Sequence, residues 1–104
     1  MSARARKSVR WQLAALDDLT QIVDWIRVTR PRTAERLAAR IFAKTDLLAF
    51  TPYLGPRSAA YSKARFLTHK RYVIYYTVHR HEVVIRAVVD GSRTFRRDWL
   101  HRED

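Results

Sequence analysis

Apolar residues recur along this chain with two different periods, and the switches between them divide it into elements. Lys7–Trp11 alternates loosely, which predicts a short strand at or near a sheet edge. From about Ala14 to Val28 the residues Leu16, Leu19, Ile22, Val23 and Ile26 recur at helical spacing, while Asp17, Asp18, Gln21 and Asp24 fall mostly on the other side. That pattern predicts an amphipathic helix with Asp17 and Asp18 in its first turn, where the positive end of the macrodipole favours carboxylates. Thr29–Arg32 breaks it, because Pro31 lacks a donor and biases Arg30 away from helical torsions, and Thr33 is placed to cap the next helix. This second helix presents Ala34, Leu37, Ala38, Ile41, Thr45 and Leu48 on one face. Two helices so close in sequence predict an antiparallel hairpin.

Thr51–Ala60, with Pro52, Gly55 and Pro56, predicts a loop in which Tyr53 and Leu54 cover an end of the core. The period then becomes two. Arg65–Thr68, Tyr72–Val78 and Val83–Val89 predict three consecutive strands of a meander within Lys63–Arg93. Strict alternation places Ile74, Tyr76 and Val78 on one face of the middle strand and Val73, Tyr75 and Thr77 on the other. In the last strand it sets Ile85, Ala87 and Val89 against Val84, Arg86, Val88 and Asp90. Neither face is cleanly polar, so both are at least partly covered, one of them by the helix pair. Gly91 after the last strand predicts a sharp turn that aims Arg93 back across the sheet. In Thr94–Asp104, Phe95, Trp99 and Leu100 stand among Arg96, Arg97 and Arg102, a short amphipathic helix that needs docking to be stable. The fold class is α+β: an antiparallel sheet of about four strands packed on an N-terminal helical hairpin, in the order β-α-α-β-β-β.

A length of 104 residues predicts one domain over 1–104, and 47% hydrophobic residues with two Gly and three Pro predict a packed core. Absence of cysteine excludes a disulfide framework and a cysteine-ligated metal, so the cytoplasm is the expected compartment. The basic segment 1–11 is not followed by an apolar signal core, and no run approaches the about 18 apolar residues of a membrane span. What changes the picture most is charge: 21 Lys plus Arg against 10 Asp plus Glu give +11, which points to a polyanionic partner, whether nucleic acid or an acidic protein. The cations cluster in the meander's loops, as His69, Lys70, Arg71 and as His79, Arg80, His81. His69, His79 and His81 in turns and His101 in the tail read as solvated imidazoles, and no ligand set for a metal or other cofactor stands near them. Arg86 and Asp90 fall on one predicted face and read as a structural pair, whereas Arg65 and Arg93 remain candidates for function.

The local sequences ALDDLTQIVDWI, TAERLAARI and TPYLGPR, followed by RFLTHKRYVIYYTVHRHEVVIRAVVDGSR, resemble in order and spacing the toxins of the RelE/ParE superfamily of bacterial toxin–antitoxin operons. The likeness spans about Val9 to Arg96. It implies one of two activities. The RelE branch cleaves messenger RNA on the ribosome, with basic residues of the meander on the phosphate and a Tyr or His near the chain end in acid–base work. The ParE branch poisons DNA gyrase without that set. Where the cleaving branch has an arginine after the first Tyr of the middle strand, this chain has Val73; where it has a late Tyr, Trp99; where many relatives have a His before the Gly, Asp90. Valine cannot donate to phosphate, an indole does not exchange a proton near neutral pH, and a carboxylate repels phosphate.

The resemblance therefore implies a ParE-like toxin that acts by binding, with no catalytic residues; if the chain were a nuclease, Arg65 and Arg93 would carry the phosphate. The expected target-binding surface is Arg65, Lys70, Arg71, Tyr72, Arg93, Phe95, Arg96 and Trp99, facing DNA gyrase or, in the alternative, the ribosome and its messenger. An acidic antitoxin would lie along the helix pair and sheet, on Leu19, Ile22, Ile26, Ile41, Val84 and Arg86, with oligomers formed through it. A non-toxic nucleic-acid-binding domain is the third class, recognisable by steeply salt-dependent binding without sequence preference.

Overall fold

The computed structural model describes residues 6–59 and 63–91. The two periodicities become β1 (Ser8–Trp11), α1 (Leu13–Arg27), α2 (Pro31–Asp46), a 3-10 turn (Leu47–Ala49), β2 (Arg65–His69), β3 (Tyr72–Val78) and β4 (Glu82–Asp90), in the expected order. The terminal helix expected over Thr94–Asp104 lies outside the described residues. Helix α1 starts one residue early, at Leu13, so its first turn holds no acid and Asp17 and Asp18 fall in the second. Pro31 is itself the first residue of α2, where its missing N–H has no intrahelical partner to lose, and Thr33 sits inside the helix instead of capping it.

The strands pair in the order β1-β4-β3-β2. β2, β3 and β4 form the antiparallel meander, and β1 runs parallel to β4 at the sheet edge, which makes the sheet mixed. A parallel neighbour needs a long crossover, and everything between β1 and β4 supplies it. One face of the sheet carries the helical hairpin. Ala15, Leu19 and Val23 of α1 and Ala34, Leu37 and Ile41 of α2 pack there with Ile74, Tyr76, Val83, Ile85 and Val88. The opposite face has its own small cluster, Ala87 and Val89 with Val73 and Tyr75.

A β-bulge separates these faces differently from simple alternation. Tyr75 pairs with Ala87 but Tyr76 pairs with Ile85, so Arg86 is the extra residue and the end of β4 is turned over. Ala87 and Val89 consequently join Val73 and Tyr75 on the outer face, while Val88 joins Ile85 under the helices. The expected Arg86–Asp90 pair does not form, because the bulge stands between them. Arg86 instead donates from Nε to Thr77 Oγ1 at 3.0 Å, and Asp90 pairs with Arg71 at 2.5 Å. β1 stops at Trp11, opposite Ile85, and the Val88 N–H beyond it donates to the Asp18 carboxylate at 3.1 Å.

The loop after α2 closes the sheet on its β2 side. Phe66 N–H donates to the Pro56 carbonyl at 3.1 Å and Ser58 N–H to the Ala64 carbonyl at 2.8 Å, with an isolated bridge between Arg57 and Arg65. These contacts cover half of an edge strand that would otherwise offer its backbone to another chain. Tyr53 and Leu54, expected over the core, are exposed. Gly55 is the buried residue here: its N–H donates to the Tyr76 hydroxyl at 2.9 Å, and a Cβ at this position would lie 2.2 Å from the Phe66 carbonyl oxygen.

Tyr76→Phe removes the acceptor of a buried N–H and should lower the unfolding free energy by about 1–3 kcal/mol. Gly55→Ala forces the same two segments apart and should cost a similar amount. Since both act at one contact, denaturant unfolding of the double variant should give less than the sum of the singles; full additivity would mean that the hydroxyl and the close approach are unconnected.

Candidate functional site

The helix junction and the β2–β3 turn meet at one end of the molecule. Arg30 N–H donates to the Ile26 carbonyl at 2.8 Å, which terminates α1 and sets Arg30 at the corner. Along α2 the residues Thr33, Arg36, Leu37 and Arg40 share the side that faces the turn, and one turn further Lys44 Nζ donates to the Thr68 carbonyl at 2.6 Å. Across from them His69 pairs with Tyr72, leaving Lys70 and Arg71 as a two-residue connection, with Lys70 at φ 55° in the left-handed region. Between helix and turn lies an open groove of about 490 Å³, lined by the side chains of Arg30, Arg36, Arg40, Lys70 and Arg71 together with Trp25, Tyr72 and His69, and by no carboxylate among the described residues.

His69 is not the solvated loop imidazole expected from the sequence. It ends β2 and is 8% exposed. Its pKa is lowered, first by burial and then by the positive charges of Lys44, Lys70 and Arg40. At the rim Arg71 reaches the other way, to Asp90. Asp90 and Asp18 belong to a neighbouring hollow of about 430 Å³ that also includes Gln21 and Arg71. Trp25 lines both hollows and is 81% exposed. Gly91 makes no positive-φ turn; its N–H donates to the Arg71 carbonyl at 2.6 Å, and a Cβ there would come within 2.9 Å of that oxygen. Glycine is therefore required for a close approach that seats the Arg71 backbone.

Of the expected target-binding residues, the structure brings Lys70, Arg71 and Tyr72 together in the groove. Arg65 is at the other end of β2, about 13 Å away along the strand. There it donates from NH1 to the Gly55 carbonyl at 2.8 Å and lies over the Tyr53 ring at 4.9 Å. Arg93, Phe95, Arg96 and Trp99 lie outside the described residues. Of the expected antitoxin-facing residues, Leu19, Ile41 and Val84 are buried within the fold itself and have no surface to offer a partner. Ile22 and Ile26 are half-buried against the core, and Arg86 is on the outer sheet face. Exposed apolar surface is found instead at Leu13, Trp25, Val28, Phe42 and Leu47. Of the residues missed, Trp25, Arg30, Arg36 and Arg40, the last two had a legible signal: Arg32, Arg36, Arg40 and Lys44 recur every four positions and must share a helix face.

The outer sheet face carries a second polar group. Thr77 Oγ1 lies 2.8 Å from His79 Nε2, and Arg86 NH2 lies 3.3 Å from the same nitrogen. Arginine only donates, so this contact selects the tautomer in which Nε2 accepts. Nearby Arg10 pairs with Glu82 at 3.1 Å, a hydrogen bond that holds the Glu82 carboxyl below its ordinary value. Val73, in the same sheet face, packs with Tyr75, Ala87 and Val89. No group of three or more metal-ligating side chains occurs among the described residues, and no helix among them is long and apolar enough to cross a membrane.

Residues 9–95 match the family described as ParE toxin of type II toxin-antitoxin system, parDE. Among solved structures, the chain is similar to the chromosomal ParDE toxin–antitoxin system from P. aeruginosa, with a TM-score of 0.72 and 21% identity over 83% of this chain and 97% of that one. It is also similar to the toxin–antitoxin complex RelBE2 from Mycobacterium tuberculosis, with a TM-score of 0.57 and 20% identity over 86% of this chain and 97% of that one. At these identities the structural likenesses concern the fold. A search of curated proteins gives no significant match.

The buried His69 predicts a pH dependence. Its folded pKa lies below the ordinary 6.5, so in the window just below pH 6.5 the unfolded chain takes up a proton that the folded chain refuses. Stability should therefore be fully present above pH 6.5 and fall as the pH drops from there toward the folded value. His69→Gln should flatten that part of the profile in urea unfolding followed across pH; an unchanged slope would place the titration elsewhere.

Proposed function

Because the chain belongs to the ParE toxin family of type II toxin–antitoxin systems, we propose that it arrests growth by binding DNA gyrase and is neutralised by a cognate acidic antitoxin. The observation that carries the non-catalytic reading is the setting of Val73. By the resemblance it occupies the place where the RNA-cleaving branch has an arginine, and here it is a packed aliphatic side chain of the outer-face cluster. A group that stabilises a phosphorane must present donors to it, and an isopropyl group has none. The exposed basic groove supports one interaction surface, and the exposed apolar residues Leu13, Phe42 and Leu47, at the end of the hairpin where Phe42 packs on Trp11, support a second. The first suits a polyanionic or gyrase–DNA target, the second an amphipathic antitoxin segment that folds as it docks. The cytoplasm, where gyrase acts, is the corresponding compartment.

One observation favours a second reading. His79, Thr77 and Arg86 meet on the outer face, and an imidazole beside a guanidinium is the kind of pair that moves a proton near a phosphate. The alternative function is thus a ribosome-dependent mRNA endoribonuclease, with Arg93 or Arg65 assisting.

Expression of the chain without antitoxin, with SOS induction and accumulation of cleaved gyrase–DNA complexes, is the expected outcome. Codon-phased cuts in primer extension that disappear in Arg86→Ala or Arg93→Ala would replace gyrase with the ribosome. Growth unaffected by the intact chain would support the non-toxic nucleic-acid-binding class or indicate a decayed toxin. Copurification with a small acidic protein encoded beside the gene is expected in either toxic case.

A further inference from the structure

We propose that the groove between α2 and the β2–β3 turn is a binding site for one strand of single-stranded nucleic acid, its phosphates held by the groove's arginines and a base stacked on Trp25. The inference rests on the groove itself and stands independently of gyrase as target.

Charge selects the class of ligand. Arg36 and Arg40 stand one helical turn apart on one wall, with Cβ atoms about 5–6 Å from each other. Lys70 stands on the other wall, with Arg71 at the rim where it pairs with Asp90 and Arg30 at the corner, and no described residue of the lining is acidic. A small anion would satisfy one or two of these cations. A strand with a negative charge at every repeat can lie between the walls and engage both. Of the four cations besides Arg71, Arg30, Arg36 and Arg40 are arginines, whose planar donor fork matches phosphate oxygens two at a time.

The aromatic groups then separate a nucleic-acid strand from an acidic peptide. Amphipathic peptides bind by sinking apolar side chains, yet Leu37 is buried and Ile26 already packs on the core. The most exposed apolar group at the groove is a flat indole, Trp25, at 81%, with the Tyr72 ring beside it. An open indole next to cations is the combination used by single-strand binding surfaces, where bases stack on rings while the backbone follows the charge. Only an unpaired base can leave its own stack to do so, which favours a single strand over a duplex.

The test uses the full chain freed of any partner and a fluorescent oligothymidylate, followed by anisotropy over a salt series. The wild type should bind, with affinity falling linearly in log–log salt plots. Arg36→Ala/Arg40→Ala should weaken binding about ten-fold or more and reduce the salt slope by about 1.4, at about 0.7 for each phosphate no longer engaged. Trp25→Ala should weaken it about ten-fold with the salt slope unchanged, because stacking releases no counterions. All three side chains replaced are exposed, so melting temperatures should stay near the wild-type value. Arg57→Ala/Arg80→Ala removes the same charge outside the groove and should change affinity less than three-fold, about half a log unit. Equal losses in the control pair would reduce the effect to net charge and overturn the proposal. So would a duplex binding as tightly as the single strand. So would polyglutamate displacing the strand with Trp25→Ala unaffected, which would make the groove a site for an acidic protein.

Discussion

One extra residue in β4 organises this molecule. The bulge at Arg86 lets the first half of β4 bury Val83 and Ile85 under the helices and pass the second half over to the opposite parity, so that Val88 and Asp90 point toward α1. Without it Ala87 and Val89 would lie beneath α1, and the carboxylate of Asp90 would face the other way. With it, Asp18 can reach the Val88 N–H and Asp90 can reach Arg71. The first contact joins the end of the meander to α1, and the second ties it to the β2–β3 turn at the rim of the groove. The same residue leaves Arg86 beside Thr77 and His79 on the outer face.

The groove is costly to the folded chain. Like charges gathered along one groove repel, and the pKa of His69 there is lowered by burial and then by the charges of Lys44, Lys70 and Arg40. The fold offsets this by anchoring the surroundings firmly: Lys44 is tied to the Thr68 carbonyl, Arg71 to Asp90 and its own carbonyl to Gly91. A site that is electrostatically unfavourable while empty gains most from a ligand of opposite sign, because the ligand removes the repulsion as well as adding its own attraction. The net charge of +11 is therefore informative less as a total than through where the fold concentrates it.

The elements are legible because their periods are clean. Leu19 and Val23 on α1, Leu37 and Ile41 on α2, and Ile74 with Tyr76 on β3 all occupy the core positions their spacing demands. Departures arise where one local event overrides a period. The bulge cannot be seen in a run of nine strand residues, and it reverses the facing of Ala87, Val88, Val89 and Asp90. Gly91 invites a conformational argument, whereas its role is steric. The burial that apolar character predicts for Tyr53 and Leu54 belongs to Gly55, whose lack of a side chain hides it from any hydrophobicity pattern. For the site, charge runs in the sequence point to Lys70 and Arg71, but the partners that turn them into a groove come from α2, earlier in the chain. Periodicity of the arginines on α2 is visible in the sequence; which loop they meet requires the chain to be folded.

Trp25 marks where the positive region ends. On one side of the indole are the five cations of the groove; on the other are Asp18 and Asp90, and Arg71 spans the boundary. Two carboxylates placed there do more than hold β4 to α1 and Arg71. They make the neighbouring hollow less favourable than the groove for a polyanion, since phosphate brought near Asp18 or Asp90 would meet like charge. A bound strand is thereby favoured on the α2 side of Trp25, which lines both the cationic groove and the acidic hollow. The stabilising carboxylates and the exposed aromatic ring are thus parts of one arrangement: the residues that fasten the sheet to the helices also give the groove a direction.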